Sequence, residues 1–351
     1  MLWRKNLNNK NIKIKENENI DEDILLKIEN LRTYFFTQDG IVRAVDGIEL
    51  IIKKGQVLGL IGETGCGKTM TALSILRLVP PPGRIIDGRI LFRKDNEIIN
   101  LVNLDPKGDK IREIRGKYIS MIFQEPMISL NPIYTIGDQI IENIITHNKI
   151  SKIEAKKIAI SMLEQVGIPE PDKRIDEYPH QLSGGMRQRA MIAMALSCNP
   201  HLLIADEPTT AVDVTVQAQI LDLLRKLQKT FNMSVLLITH NMGVVAELAD
   251  TVGVMYLGKI VEFAKVIDLF DNPTHPYTQA LLKSIPSLSS IGKSKQKLAV
   301  IKGDLPDPYS KLEGCYFKLR CPYVINLCEK EEPPMIEIEN QHFVKCWLVV
   351  K

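Results

Sequence analysis

Four short apolar runs punctuate the chain: "QVLGLIG" (56–62), "YISMIFQ" (118–124), "HLLIADE" (201–207) and "MSVLLITH" (233–240). Each is short, aliphatic and followed by loop or helix-start residues, the pattern of a strand buried on both faces. Helical periodicity lies between them. "KTMTALSILRLV" (68–79) carries apolar residues at helical spacing and runs into Pro80-Pro81-Pro82, which cannot continue a helix. "VTVQAQILDLLRKLQKTF" (214–231) has the same period. Strands alternating with helices predict an α/β fold with a mainly parallel core sheet.

Two stretches depart from this texture. "GRILFRKDNEIINL" (88–101) alternates around a polar turn and predicts a strand pair, hence a small antiparallel β subdomain. From about 135 to 195 the chain reads as helical throughout, so a helical subdomain is expected at about 125–195. Residues 1–27 are polar and rich in Asn, Lys and Glu, the composition of a flexible tail. "SIPSLSSIGKSKQK" (284–297) reads as a linker between a main unit at 28–285 and a C-terminal extension at 286–351. No run of about 18 apolar residues occurs, so no membrane span is expected, and the polar start has no apolar stretch of the secretory type.

"GETGCGKT", Gly62 to Thr69, fits G-x-x-x-x-G-K-[ST] and sits between a predicted strand and a predicted helix, the context the motif requires. Glycines let the backbone N–H groups turn inward on phosphates, and the helix N-terminus adds positive potential. Lys68 would reach the β- and γ-phosphates, and the Thr69 hydroxyl would ligate Mg²⁺. Gly62, Glu63, Thr64, Gly65, Cys66, Gly67, Lys68, Thr69 and Met70 are therefore the expected nucleotide contacts. "LLIADE" adds two carboxylates at a strand end: Asp206 for the Mg²⁺ shell and Glu207 as a general base for an attacking water. "QLSGGMRQR" (181–189) puts Ser183-Gly184-Gly185 before an amphipathic run. That is a second helix N-terminus and a second anion site, which one γ-phosphate does not need unless the second site faces a partner's nucleotide.

These motifs, in this order and spacing over about 28–270, resemble the nucleotide-binding domain of the ABC-type ATPase family. "LSGGMRQR" looks like the family's signature motif, between the phosphate loop and "LLIADEPTTAVD" (202–213). The resemblance implies a P-loop NTPase fold of ABC type. It also implies roles for single residues. Gln124 would touch Mg²⁺ and relay closure to a membrane partner, and His240 would contact the γ-phosphate. Asp213 would cross a dimer interface. Phe35, with Tyr34 as the weaker choice, would stack on adenine. Two such domains would close head to tail on ATP.

"RLVPPPGRIIDGRI" (77–90), "THPYTQALLKSIP" (274–286) and the segment 314–348 resemble the di/oligopeptide and nickel importer branch. An ATPase subunit of that branch would dock on two integral-membrane permease subunits beside a second homologous ATPase chain. An extracytoplasmic solute-binding protein would deliver peptide, or nickel. The rival classes are a soluble ABC ATPase, against which the chain lacks a long coiled-coil insertion or a second ATPase half, and a metal-sensing module, against which every catalytic position is intact.

Composition changes the picture little. The chain has 351 residues, 45 basic against 42 acidic, so the net charge of +3 gives no reason to expect nucleic acid. Cysteine usage says more. Four of six cysteines, Cys315, Cys321, Cys328 and Cys346, fall in the extension. In a reducing compartment such clustering favours metal over disulfides. The C-x5-C-x6-C-x17-C spacing lacks the C-x2-C pairs of tight zinc sites; an iron–sulfur body, zinc and no metal all stay open on spacing. The family resemblance implies a [4Fe–4S] cluster there. Cys66 lies beside Lys68 at a helix start, features that lower a thiol's pKa, though a small filler is the simpler reading.

Overall fold

The computed structural model describes residues 20–124, 130–210, 213–284, 301 and 303–350. Most of the predicted tail, most of the predicted linker and the first residues of the predicted helical subdomain lie outside these. The four apolar runs form the parallel centre of an eight-stranded sheet: β3 (Val57–Ile61), β6 (Ile119–Ile122), β7 (Leu202–Asp206) and β8 (Ser234–Ile238), joined by β9 (Thr251–Tyr256) in the order β9-β3-β8-β7-β6. Every residue of β3, β7, β8 and β9 is buried, which explains the continuous apolar runs.

The two faces of this sheet are divided by the period of two. Leu202 and Ile204 of β7, with Leu236 and Ile238 of β8, join one core; Leu203, Ala205, Val235 and Leu237 join the other. On the first face lies a four-stranded antiparallel sheet of β1 (Ile24–Phe36), β2 (Ile41–Lys53), β4 (Gly83–Lys94) and β5 (Glu97–Asn100), in the order β2-β1-β4-β5. Ile28, Leu31, Ile48, Ile90 and Phe92 point from it into the shared core. α1 (Lys68–Ile75) is packed into the same core through Ala72 and Ile75, and a short α2 (Asp109–Ile114) adds Ile111 and Ile114.

The second face is covered by helices. α3 (Ile136–His147), α4 (Lys152–Gln165), the one-turn α5 (Pro171–Arg174) and α6 (Gly184–Leu196) form the expected helical subdomain. Thr135 caps α3, and Ser151 with Glu154 makes a capping box on α4. α7 (Val214–Phe231) occupies the predicted span; Asp213 caps its start and Asn232, in the left-handed region, ends it. α1 is shorter than its periodicity predicts. It stops at Ile75 because Arg77 turns to φ 56°, before the prolines are reached.

The chain then returns through α8 (Met242–Leu248) and α9 (Val266–Asp271), with β10 (Lys259–Lys265) antiparallel to β9. α10 (Pro276–Lys283) and α11 (Asn326–Lys330) lead to β11 (Ile336–Glu339) and β12 (His342–Val344). β12 pairs with β10, so the C-terminal extension continues the core sheet, in the order β11-β12-β10-β9. Glu262 of β10 is fully buried and fixes this join. It accepts from the backbone N–H groups of Thr274 (2.8 Å) and His275 (3.0 Å), and His342 Nε2 of β12 lies 2.8 Å from it. Among the described residues no helix is long and apolar enough to cross a membrane.

Candidate active site

The loop from Gly62 to Gly67 joins the end of β3 to the start of α1. Its shape demands glycine at two places. Gly62 (φ 152°) and Gly67 (φ 107°) have left-handed-side dihedrals, and a Cβ on either would meet a carbonyl oxygen, of Met255 and Ala44 respectively, at 2.1 Å. Lys68 is buried and folds its ammonium back over the loop. Its Nζ donates to the Gly62 carbonyl at 2.7 Å and the Glu63 carbonyl at 2.9 Å, and lies 3.6 Å from Cys66 Sγ. Thr64 and Gly65 are exposed, and Thr69 and Met70 are half-buried.

β7 delivers the carboxylates. Asp206 is buried at the strand end, hydrogen-bonded by Thr69. Burial pushes its carboxyl pKa up, and Thr69 and Lys68 only partly oppose this. Glu207 follows in the left-handed region at φ 48°, held there as its N–H donates to the Ile238 carbonyl of β8 at 2.8 Å. Its carboxylate collects three neighbours. Gln124 Nε2 donates at 3.2 Å, the Thr210 hydroxyl donates at 3.0 Å, and His240 Nδ1 lies 2.9 Å away. Burial alone would raise the Glu207 pKa; the bonds from His240 and Thr210 outweigh it and hold the group below the usual glutamate range. Gln124 arrives from the end of β6 and His240 from the end of β8, so three parallel strands converge at their C-terminal ends, where open α/β sheets place ligands. A cavity of about 470 Å³ opens there, lined among others by Gly62, Glu63, Thr64, His240 and Asn241.

The other predicted residues lie elsewhere. Ser183 caps α6, accepting from Met186 N–H at 3.3 Å, with Gly184 exposed beside it. A Cβ on Gly185 would sit 3.1 Å from Val216 of α7. Gln188 on α6 donates to the Pro208 carbonyl next to Glu207, linking this helix to the carboxylate loop. Asp213 is exposed and its carboxylate accepts from Val216 N–H at 2.9 Å, a capping role the sequence reading passed over. Phe35 lies half-buried over Gly83, where a Cβ would meet its ring at 2.7 Å; Tyr34 instead donates its hydroxyl to Asp46 at 2.5 Å.

One cysteine expectation needs correction, and Cys66 bears on another. Cys66 is buried, and burial raises its thiol pKa against the opposing pull of Lys68, which favours the simpler filler reading. The expected [4Fe–4S] site at Cys315, Cys321, Cys328 and Cys346 is not formed. Among the described residues, no group of three or more His, Cys, Asp or Glu side chains is placed to hold a metal ion. All six cysteines are free. Burial raises the thiol pKa of Cys315 to about 11 and also raises Cys321 and Cys346. Cys315 and Cys321 pack instead against an apolar cluster with Tyr256, Tyr277 and Phe317, as small hydrophobes. The metal-binding reading of the extension is withdrawn with it.

The sequence reading also missed Thr210, Tyr277 and Arg320. Tyr277 of α10 accepts from Glu63 N–H through its hydroxyl oxygen at 2.9 Å, and Arg320 pairs with the Glu63 carboxylate. Nothing local marks these contacts, since both partners lie more than 200 residues from the loop.

The chain is similar to known proteins. Residues 45–210 match the ABC transporter family, and residues 261–328 match the C-terminal region of oligopeptide/dipeptide transporters. The oligopeptide transport ATP-binding protein of Bacillus subtilis is 48% identical over 93% of this chain and 89% of its own length. The dipeptide transport ATP-binding protein of the same organism is 48% identical over 92% of this chain and 94% of its own. Among solved structures, the ATP-binding cassette MJ0796, a dimer in a post-hydrolysis state bound to ADP and Pi, superposes with a TM-score of 0.60 at 27% identity. That match covers 69% of this chain and 99% of the cassette. The chain belongs to the ABC transporter family, as an ATP-binding subunit closely related to those of peptide, oligopeptide and dipeptide importers.

Proposed function

We propose that this protein is the ATP-hydrolysing subunit of an ABC importer for di- or oligopeptides, working at the cytoplasmic face of the membrane. The observation that carries the chemistry is the convergence of Gln124, Glu207 and His240 beside the phosphate loop. The peptide reading comes from the relatives, named for oligopeptide and dipeptide transport. It is favoured over nickel import and over a soluble ATPase by the match of the C-terminal region.

In this reading the loop from Gly62 to Met70 holds the phosphates, with Lys68 releasing its loop carbonyls to reach the β- and γ-phosphates. The Thr69 hydroxyl and the Asp206 carboxylate already share a hydrogen bond, so two hard oxygens lie together. With Gln124 they suit Mg²⁺, which takes few protein ligands and completes its shell from phosphate and water. An ion held there would neutralise phosphate charge. Glu207, ionised at neutral pH, takes the proton from the attacking water, and His240 orients Glu207 and contacts the γ-phosphate. Phe35 is the adenine-stacking residue. Ser183, Gly184 and Gly185, with Asp213, face the nucleotide of a second homologous ATPase subunit across a head-to-tail dimer. The pair docks on two integral-membrane permease subunits fed by an extracytoplasmic solute-binding protein. The nucleotide-binding unit is residues 28–285, and 286–351 is an extension.

Peptide uptake in cells tests the whole reading. Cells carrying Lys68→Ala in place of the wild type should lose labelled-peptide uptake, and purified wild type should hydrolyse ATP where the variant does not. Uptake undiminished by Lys68→Ala would sink it. For the dimer, Glu207→Gln with ATP should run as a dimer in size exclusion, and adding Ser183→Arg should return it to monomer.

A further inference from the structure

Arg320 of the C-terminal extension reaches back to the phosphate loop. Arg320 donates to Glu63 through two parallel bonds, NH1 to Oε2 at 2.7 Å and NH2 to Oε1 at 3.0 Å. Its side chain is only 4% exposed, against 26% for Glu63. The bond to Glu63 raises the already high guanidinium pKa further, so Arg320 stays charged. Arg320 is itself fixed. Its N–H donates to the Phe317 carbonyl at 3.0 Å, and Phe317 packs against both Tyr256 and Tyr277, with ring centroids 5.2 Å and 5.4 Å away. Tyr277 takes the Glu63 N–H and Lys68 takes the Glu63 carbonyl. Glu63 is thus held at its N–H, its carbonyl and its carboxylate, and two of the three holds come from α10 and the extension.

We propose that Arg320 is a positioning residue for ATP, through which the C-terminal extension fixes the conformation of the phosphate loop. The inference rests on the reading that ATP occupies this loop. A loop whose ends are glycines with positive φ has many alternative shapes when unbound, and binding must select one. Holding Glu63 removes that cost before ATP arrives. Losing Arg320 should therefore weaken ATP binding more than it slows the chemistry at Glu207, because the residue it grips is Glu63 of the phosphate loop.

The test is titration of the full-length protein with ATP, with steady-state hydrolysis alongside. Arg320→Ala should weaken Kd and raise KM by about tenfold, with kcat within about twofold. Arg320→Lys, which keeps the charge but not the paired geometry, should recover part of the affinity. Glu63→Gln should match Arg320→Ala, and the double variant should be no weaker than either single one. Thermal melts accompany each variant; if Arg320→Ala does not fold, Arg320→Lys and Glu63→Gln decide. Lys68→Ala separates the two readings. Wild-type affinity no better than that of Lys68→Ala removes the ATP site and the proposal with it. If Lys68→Ala abolishes binding while the Arg320 and Glu63 variants keep wild-type affinity, or if they lower kcat alone, only the positioning role is overturned.

Discussion

Replacing Glu207 by glutamine removes one charge and turns one carboxylate oxygen into an amide. The surroundings accommodate the change. The amide oxygen can take the donors from Gln124 (3.2 Å) and Thr210 (3.0 Å), and the amide nitrogen can face His240 Nδ1 at 2.9 Å. The backbone at φ 48° is held by the bond to Ile238, which the substitution leaves intact. The side chain is 13% exposed, and its three bonds pass from a carboxylate to a neutral amide without losing a partner, a stability change of about 1–3 kcal/mol. The catalytic effect is far larger. Glutamine cannot accept the water's proton, and loss of a general base costs about 10²- to 10⁴-fold. That range corresponds to roughly 3 to 5 kcal/mol in the barrier. Three measurements separate the terms: phosphate release for kcat, equilibrium ATP binding, and a thermal melt. The expected result is hydrolysis down at least a hundredfold, with ATP affinity and melting temperature close to wild type. A folded Glu207→Gln that retains hydrolysis within tenfold of wild type would refute the assignment of the base.

Other residues give further checks. Glu262→Ala leaves the N–H groups of Thr274 and His275 and the ring of His342 without their buried partner; breaking such a pair costs about 3–5 kcal/mol, read as a clear drop in melting temperature. An Asp46→Asn variant probes pH. Burial pushes the Asp46 pKa up, but bonds from Tyr34 and Tyr316 and the charge of Lys259 bring it below its ordinary 3.8. A depressed carboxyl contributes stability that is complete above the unfolded value and lost as pH falls through the folded one. The wild-type advantage over Asp46→Asn in denaturant melts should therefore be full at pH 7 and shrink below about pH 3.8. Cys66→Ser should keep hydrolysis within about threefold, and a thiol reagent should modify Cys66 of the folded protein slowly, because the sulfur is buried and its pKa raised. Rapid modification blocked by ATP would contradict that.

The sequence alone determined what depends on neighbours along the chain. Four buried strands, α7, the helical subdomain and the phosphate loop are written in local period, caps and glycines, because strand burial, helix period and a tight turn each constrain consecutive residues. The pairing of Asp206 and Glu207 at a strand end was legible for the same reason. Where a local signal had a competitor it misled: α1 was read through to the prolines, but Arg77 turns first. Cysteine count and spacing could not decide metal binding, since ligation depends on how the side chains are placed in space.

Tertiary structure decided the rest. Gln124, Glu207 and His240 meet because three parallel strands end at one edge, and no spacing in the sequence encodes the separation of 83 positions from Gln124 to Glu207 as a contact. The extension, which reads as a separate tail, joins the core sheet through β12 and sends Arg320 across 257 residues to Glu63. Such contacts arise from the register of strands and the packing of Phe317 against two tyrosines. These are properties of the assembled layers, and no stretch of the chain carries them by itself.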